Sequence, residues 1–89
     1  MNQIVLIKYS SKFQKSYKKL SLKQKLIAEK CEAIFRNDPF DHRLRTHKLK
    51  GQLKNYWSFS ITYSYRIIFK FINKNKVMFY DIGNHRIYQ

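Results

Sequence analysis

His47-Lys48-Leu49-Lys50-Gly51, then Tyr56-Trp57-Ser58-Phe59-Ser60-Ile61, then Tyr65-Arg66-Ile67-Ile68-Phe69 is the stretch on which the fold turns. It reads as a basic loop feeding an antiparallel strand pair. Trp57, Phe59, Ile61 and Tyr63 fall on one face at period two, with Ser58, Ser60, Thr62 and Ser64 opposite. A second strand runs from Arg66 to Ile72, where Arg66, Ile68, Lys70 and Ile72 share one face and Ile67, Phe69 and Phe71 the other. A lone guanidinium opening an otherwise apolar strand calls for a partner, because an unpaired buried charge is costly. An anionic ligand would supply one, and Asp81 on the neighbouring last strand is the structural alternative.

Outward from this stretch, Asn73-Lys74-Asn75-Lys76 is a polar hairpin turn, Val77 to Ile82 the last strand, and Gly83-Asn84 a turn into His85-Arg86-Ile87-Tyr88-Gln89. Upstream, Ile4, Val5, Leu6 and Ile7 within Gln3 to Tyr9 predict a strand buried on both faces. Ser10 or Ser11 caps a short helix bearing Phe13, Tyr17 and Leu20, whose other face, Lys12, Lys15, Lys18 and Lys19, reads as solvated. Ser21 with Gln24 is a capping box opening a longer helix, with Leu22, Leu26, Ile27, Cys31, Ile34 and Phe35 as its apolar stripe. Asp38-Pro39 ends it, since a residue before proline is pushed out of the α region. The order β-α-α-β-β-β predicts an α+β fold: a helical hairpin packed on one face of a mostly antiparallel four-stranded sheet, residues 1–89 forming a single domain.

Charge narrows the function. Nineteen Lys and Arg against five Asp and Glu leave +14 at pH 7, a field that draws polyanions or an acidic protein partner. The loop from Phe40 to Gly51 concentrates it in Arg43, Arg45, Lys48 and Lys50, beside His42 and His47. Cys31 is alone, so neither an internal disulfide nor a multi-cysteine metal site is expected, and a reducing cytoplasm is the default compartment. Glu29, Glu32, Asp38, Asp41 and Asp81 are scattered and make no ligand cluster, so neither metal nor cofactor is expected. Ile4 to Ile7 is too short an apolar run for a signal peptide or membrane span.

The ordered set His47-x-Leu49-Lys50-Gly51-x-Leu53-x-x-Tyr56-Trp57-Ser58, Tyr65-Arg66-Ile67-Ile68-Phe69 and Asp81-Ile82-Gly83-Asn84-His85 resembles the RelE/ParE superfamily of toxin–antitoxin toxins. It looks most like the mRNA interferase branch containing RelE, YoeB and YafQ. The match lies in the C-terminal half, and the element order of the N-terminal half fits a RelE-like fold. The resemblance implies a small cytoplasmic toxin that cleaves mRNA on the ribosome without metal, held by an acidic cognate antitoxin in a hetero-oligomer. In RelE and YoeB the arginine at the place of Arg66 supports the scissile phosphate. YafQ-like members carry histidine at the places of His47 and His85, whereas YoeB has glutamate where His47 stands. RelE uses strand lysines near the positions of Ser58 and Ser60, so their absence here favours a histidine mechanism. Many relatives end in His-x-x-x-Tyr; this chain has His85-x-x-Tyr88.

RNA can be cut by its own 2′-hydroxyl if a base takes the 2′ proton, a cation steadies the phosphorane and an acid protonates the 5′ oxygen. Imidazole serves either proton role, its ordinary pKa of about 6.5 lying near neutrality. The expected assignment is His47 as general base and His85 as general acid, with the reverse equally open at this level. Arg66 has the planar fork that suits phosphate oxygens. Tyr88 would stack on a base or orient the phosphate, while Lys48, Lys50, Lys54 and Arg45 would hold flanking phosphates. On the sequence alone, His42 and His47 could equally be plain loop residues, Trp57 core packing and Tyr88 a core edge. Two other functions fit the residues: a ParE-like inhibitor of DNA gyrase, which needs no proton-transfer pair, and a non-catalytic basic module that binds RNA or ribosomes.

Overall fold

In a computed structural model of the chain, residues 3–84 and Ile87 are described. Five strands and two α-helices account for most of them: β1 (Leu6–Tyr9), α1 (Ser11–Lys18), α2 (Leu22–Asn37), β2 (His47–Lys48), β3 (Trp57–Ser60), β4 (Tyr65–Asn73) and β5 (Lys76–Asn84). Short 3-10 turns at His42–Leu44 and Gly51–Leu53 flank β2.

Both helices start where their caps dictate. The Ser10 hydroxyl accepts the Phe13 N–H, and Ser21 and Gln24 close a complete capping box. Asp38, with extended backbone before Pro39, stops α2. The apolar stripe of α2 is shorter than its spacing suggests: Leu22 and Leu26 are exposed, and burial begins at Ile27 and Ala28 and runs to Phe35. The first turns of α2 therefore overhang the sheet.

The sheet order is β1-β5-β4-β3-β2, antiparallel throughout except that β1 runs parallel to β5. The expected sheet, mostly antiparallel with four strands, is corrected in its strand number, and its one parallel pair is identified. A two-residue strand, His47–Lys48, adds a fifth at the outer edge, paired with Ser58 and Trp57. No local periodicity announces so short a strand; only the long-range pairing defines it. The parallel pair arises because two helices intervene after β1, returning the chain to the far side of the sheet from its partner. β1 is also shorter than expected, with Ile4 and Ile7 buried and Val5 and Leu6 exposed at the free edge.

Alternation along β3, β4 and β5 sorts the side chains. On the face toward the helices stand Phe59, Ile67, Phe69, Val77, Phe79 and Ile82, closed by Phe13, Ala28 and Phe35. Phe35 is the hub, its ring centroid 4.8 Å from Phe59, 4.9 Å from Phe69 and 5.4 Å from Phe79. The second face carries Ser58, Ser60, Arg66, Ile68 and Lys70, as alternation predicts for β4. A bulge shifts the β4–β5 register between Ile68 and Phe69, so that Ile68 lies opposite Asp81 and Phe69 opposite Phe79. The apolar alternation of β3 does not continue through Tyr63: the strand ends at Ser60, and Tyr63 is 92% exposed. β5 continues through Gly83 and Asn84, where a turn was expected.

Candidate functional site

Register places the candidate residues on the second face in two neighbouring rows. One row is His47, Ser58 and Ile68 across β2, β3 and β4, with Asp81 of β5 paired to Ile68 at a bulge; the next is Ser60, Arg66 and Gly83. His47 and Arg66 therefore share a face, two strands and one row apart, a Cα separation of about 12 Å from standard strand spacings.

His47 owes its position to the turn before it. Arg45 adopts a left-handed backbone, φ 53°, after the 3-10 turn at His42–Leu44, and its carbonyl lies 3.1 Å from His47 Nδ1. A carbonyl only accepts, so Nδ1 carries a proton and, in the neutral imidazole, the Nε2 lone pair is left unshared by that bond. Arg66 is half-buried and donates from Nη1 to Ser60 Oγ at 3.0 Å, its one side-chain hydrogen bond among the described residues. The alternative pairing of Arg66 with Asp81 does not form. Asp81, 3% exposed, instead accepts from the Ser16 hydroxyl at 2.6 Å and from the Ile82 N–H, with Lys12 Nζ at 3.9 Å. Among the described residues neither Arg45 nor Arg66 has an acidic partner within ion-pair distance.

Arg43, Arg45 and Arg66 line a cleft of about 280 Å³ together with Ser60, Ile61, Thr62 and Tyr63. Arg43 clamps Asp41 through two parallel bonds of 3.0 Å and holds that carboxyl well below the usual carboxylate range. The pair is close to neutral, so the surplus positive charge of the cleft belongs to Arg45 and Arg66. The sequence marks Arg43 only as one charge of the basic loop, and Thr62 and Tyr63 only as positions in the alternation after Trp57. A Ser/Thr-rich segment between two β runs is a turn signal that would have placed Tyr63 at a tip beside Arg66.

The remaining candidates scatter. Lys48 lies opposite Trp57, so its side chain leaves the sheet on the face away from His47. Lys50 and Lys54 bracket the 3-10 turn at Gly51–Leu53 and are exposed; Gly51, at φ 69°, makes the bend that a Cβ would strain. Lys70 belongs to the second face instead, its Nζ over the Tyr56 ring at 5.7 Å, and Tyr56 stands 5.1 Å from Tyr80. His42 is exposed and sits 3.9 Å from Asp41. Trp57 packs against Phe40 and Phe71 on the helix side, as core rather than as a stacking platform. Cys31 is half-buried, its thiol pushed up by burial and pointed at the Ile61 carbonyl, 3.8 Å away. His85 and Tyr88 lie outside the described residues. Ile87 is described, and its Cγ2 occupies the space where a Cβ on Gly83 would stand, over the Arg66 row. Among the described residues no three His, Cys, Asp or Glu side chains gather so as to hold a metal ion, and no helix is long and apolar enough to cross a membrane.

Comparison with known proteins bears on the family and the fold. The family model described as the YafQ bacterial toxin of type II toxin–antitoxin systems matches residues 5–88. Among curated proteins the chain has no significant match. Solved structures share the fold at low identity. The toxin–antitoxin complex RelBE2 from Mycobacterium tuberculosis is 13% identical, covers 96% of this chain and 95% of its own, and has a TM-score of 0.77. The YoeB/ParE toxin from Agrobacterium tumefaciens gives 15%, 91%, 99% and 0.76 in the same order. The E. coli DinJ-YafQ toxin–antitoxin complex gives 19%, 98%, 97% and 0.74.

Proposed function

The chain belongs to the YafQ family of bacterial type II toxins, within the RelE/ParE-like group, and on that premise we propose that it is an endoribonuclease acting on mRNA at the ribosome. The observation that carries this reading is the placement of His47 and Arg66 on one sheet face, with the Arg45 carbonyl fixing the imidazole tautomer.

Each group has a defined task. His47 Nε2 takes the proton from the 2′-hydroxyl, and the freed oxygen attacks the adjacent phosphorus. The Arg66 guanidinium faces the non-bridging oxygens as charge builds on the phosphorane. His85 protonates the departing 5′ oxygen, so that the P–O5′ bond breaks and leaves a 2′,3′-cyclic phosphate and a 5′-hydroxyl. The Nδ1 contact supports His47 as the base rather than the acid, and Ile87 over the Arg66 row supports a part for the C-terminal segment carrying His85 and Tyr88. Positioned acid–base groups of this kind each contribute about 10²–10⁴ in rate. No step calls for a metal, because the cation that steadies the phosphorane is a side chain.

The partners follow from charge and from the relatives. A chain carrying +14 suits an acidic cognate antitoxin as well as RNA, and the structural relatives DinJ-YafQ and RelBE2 are complexes of toxin with antitoxin. The proposal is a single toxin domain over residues 1–89, cytoplasmic, in a toxin–antitoxin hetero-oligomer, with no membrane partner and no cofactor.

Mapping the 5′ ends of cellular transcripts after brief induction tests the assignment. New 5′-hydroxyl ends inside translated reading frames are expected, and they should vanish when translation initiation is blocked beforehand. Growth arrest accompanied by trapped gyrase–DNA breaks, with transcripts intact, would transfer the chain to the gyrase-inhibitor class.

A further inference from the structure

The turn joining β3 to β4 is tightly closed. Ile61 and Thr62 both donate their N–H groups to the Tyr65 carbonyl, at 2.9 and 3.3 Å, and Thr62 Oγ1 accepts the Tyr65 N–H at 3.0 Å. At its tip Tyr63 is 92% exposed, the most exposed large apolar side chain among the described residues. Single exposed apolar residues are ordinary on a protein surface. This one is different because of what surrounds it: Tyr63 is one of the residues lining the cleft of Arg43, Arg45 and Arg66. The backbone beside it is also unusual, since Arg45 is the one non-glycine residue at positive φ among the described residues. Such a conformation persists only where the surroundings enforce it, and it tends to accompany function.

We infer that Tyr63 is a stacking platform for a nucleobase, and that Arg45 and Arg43 line the phosphate path of the same single-stranded RNA next to the bond gripped by Arg66. This rests on the endoribonuclease reading and names a binding subsite within it. An exposed aromatic ring on a hydrogen-bonded turn beside arginines is what single strands require: the ring takes the π-face of any base and the cations follow the phosphates. Arg45 and Arg66 supply two charges without an acidic partner among the described residues, while Arg43, held by Asp41, contributes shape and donors rather than net charge. An acidic peptide would engage the guanidiniums but leave the phenol ring in water, so RNA accounts for more of the cleft.

The test uses the full chain and a fluorescein-labelled 2′-O-methyl RNA octamer, which cannot be cut by its own 2′ oxygen. Its affinity is read by anisotropy across a salt series. Tyr63→Ala should weaken binding about tenfold and Tyr63→Phe should restore it, as loss of one stacked base requires. Arg45→Gln should make the slope of log K against log salt shallower by about 0.7. On an octamer of abasic residues the wild type and Tyr63→Ala should bind alike. Equal affinity of wild type and Tyr63→Ala for the base-bearing octamer would overturn the inference, as would failure of the wild type to bind it. Tighter, Tyr63-dependent binding of a polyglutamate peptide would assign the cleft to a protein ligand instead. Circular dichroism of Tyr63→Ala and Tyr63→Leu checks that the fold is retained. Because the octamer is uncleavable, these outcomes are read separately from transcript 5′ ends: the subsite can fail while the nuclease stands.

Discussion

The two faces of β3, β4 and β5 are made from alternate residues of the same strands, yet they share almost no chemistry. Toward the helices, Phe59, Phe69 and Phe79 crowd around Phe35 with ring centroids 4.8 to 5.4 Å away, all four fully buried. On the other side the same strands present Ser58, Ser60, Arg66 and Lys70, and a glycine opposite the arginine. A period of two lets each strand hold the molecule together with one set of side chains and place Ser60, Arg66 and Lys70 on the other, beside the fully buried Ser58 and Ile68. The comparison teaches that stability and chemistry are separable here, one residue apart.

The sharpest break comes from Phe35. Removing its ring by Phe35→Ala leaves a cavity at the meeting point of three other rings and should cost about 3–5 kcal/mol, read as a fall in the urea midpoint. Toxicity should vanish with the fold. Arg66→Ala tests the opposite face. Cleavage should fall about 10²–10³-fold, as on removal of a group that stabilises transition-state charge, while the urea midpoint moves by less than about 1 kcal/mol equivalent. Loss of stability comparable to Phe35→Ala would show that the two faces are not independent.

The smallest effect concerns Tyr9, beside the helix-side core at the free edge. Burial, helped by Glu32, raises its pKa above the ordinary tyrosine value, and its hydroxyl donates to Glu32 Oε1 at 3.0 Å. The folded state therefore holds the phenol proton more tightly than the unfolded chain. Its contribution is complete below about pH 10, where a free tyrosine titrates, and is lost as pH climbs through the raised value. Urea melts from pH 8 to 11 should show wild type losing its advantage over Tyr9→Phe in that upper range. A constant difference at every pH would assign the Tyr9 effect to packing alone.

Much of this was written locally. Ser10, the Ser21–Gln24 box and Asp38-Pro39 mark the helix boundaries with short-range chemistry, and the alternation from Arg66 to Phe71 assigns both faces of β4. The misreadings are all places where distant partners decide. His47–Lys48 becomes a strand only because Ser58 and Trp57 lie beside it. The apolar alternation appears to run on to Tyr63 because turn residues there happen to keep the period, whereas the Tyr65 carbonyl closes the chain at Ile61. Asp81 turns to Lys12 and Ser16 because of a bulge that no composition signals. For the site, the imidazole and guanidinium were legible as residue types, but the arginine cleft needed the turn geometry that brings Arg43 and Tyr63 to Arg66.

The parallel pairing of β1 with β5 has a consequence in time. Leu6 waits for Lys76 and Tyr9 for Phe79, some seventy positions downstream, before either has its sheet partner. Contacts so far apart along a chain form late and slowly, after most of the loop-closure entropy has been lost. During synthesis the first strand therefore emerges unpartnered and stays so until β5 has been made.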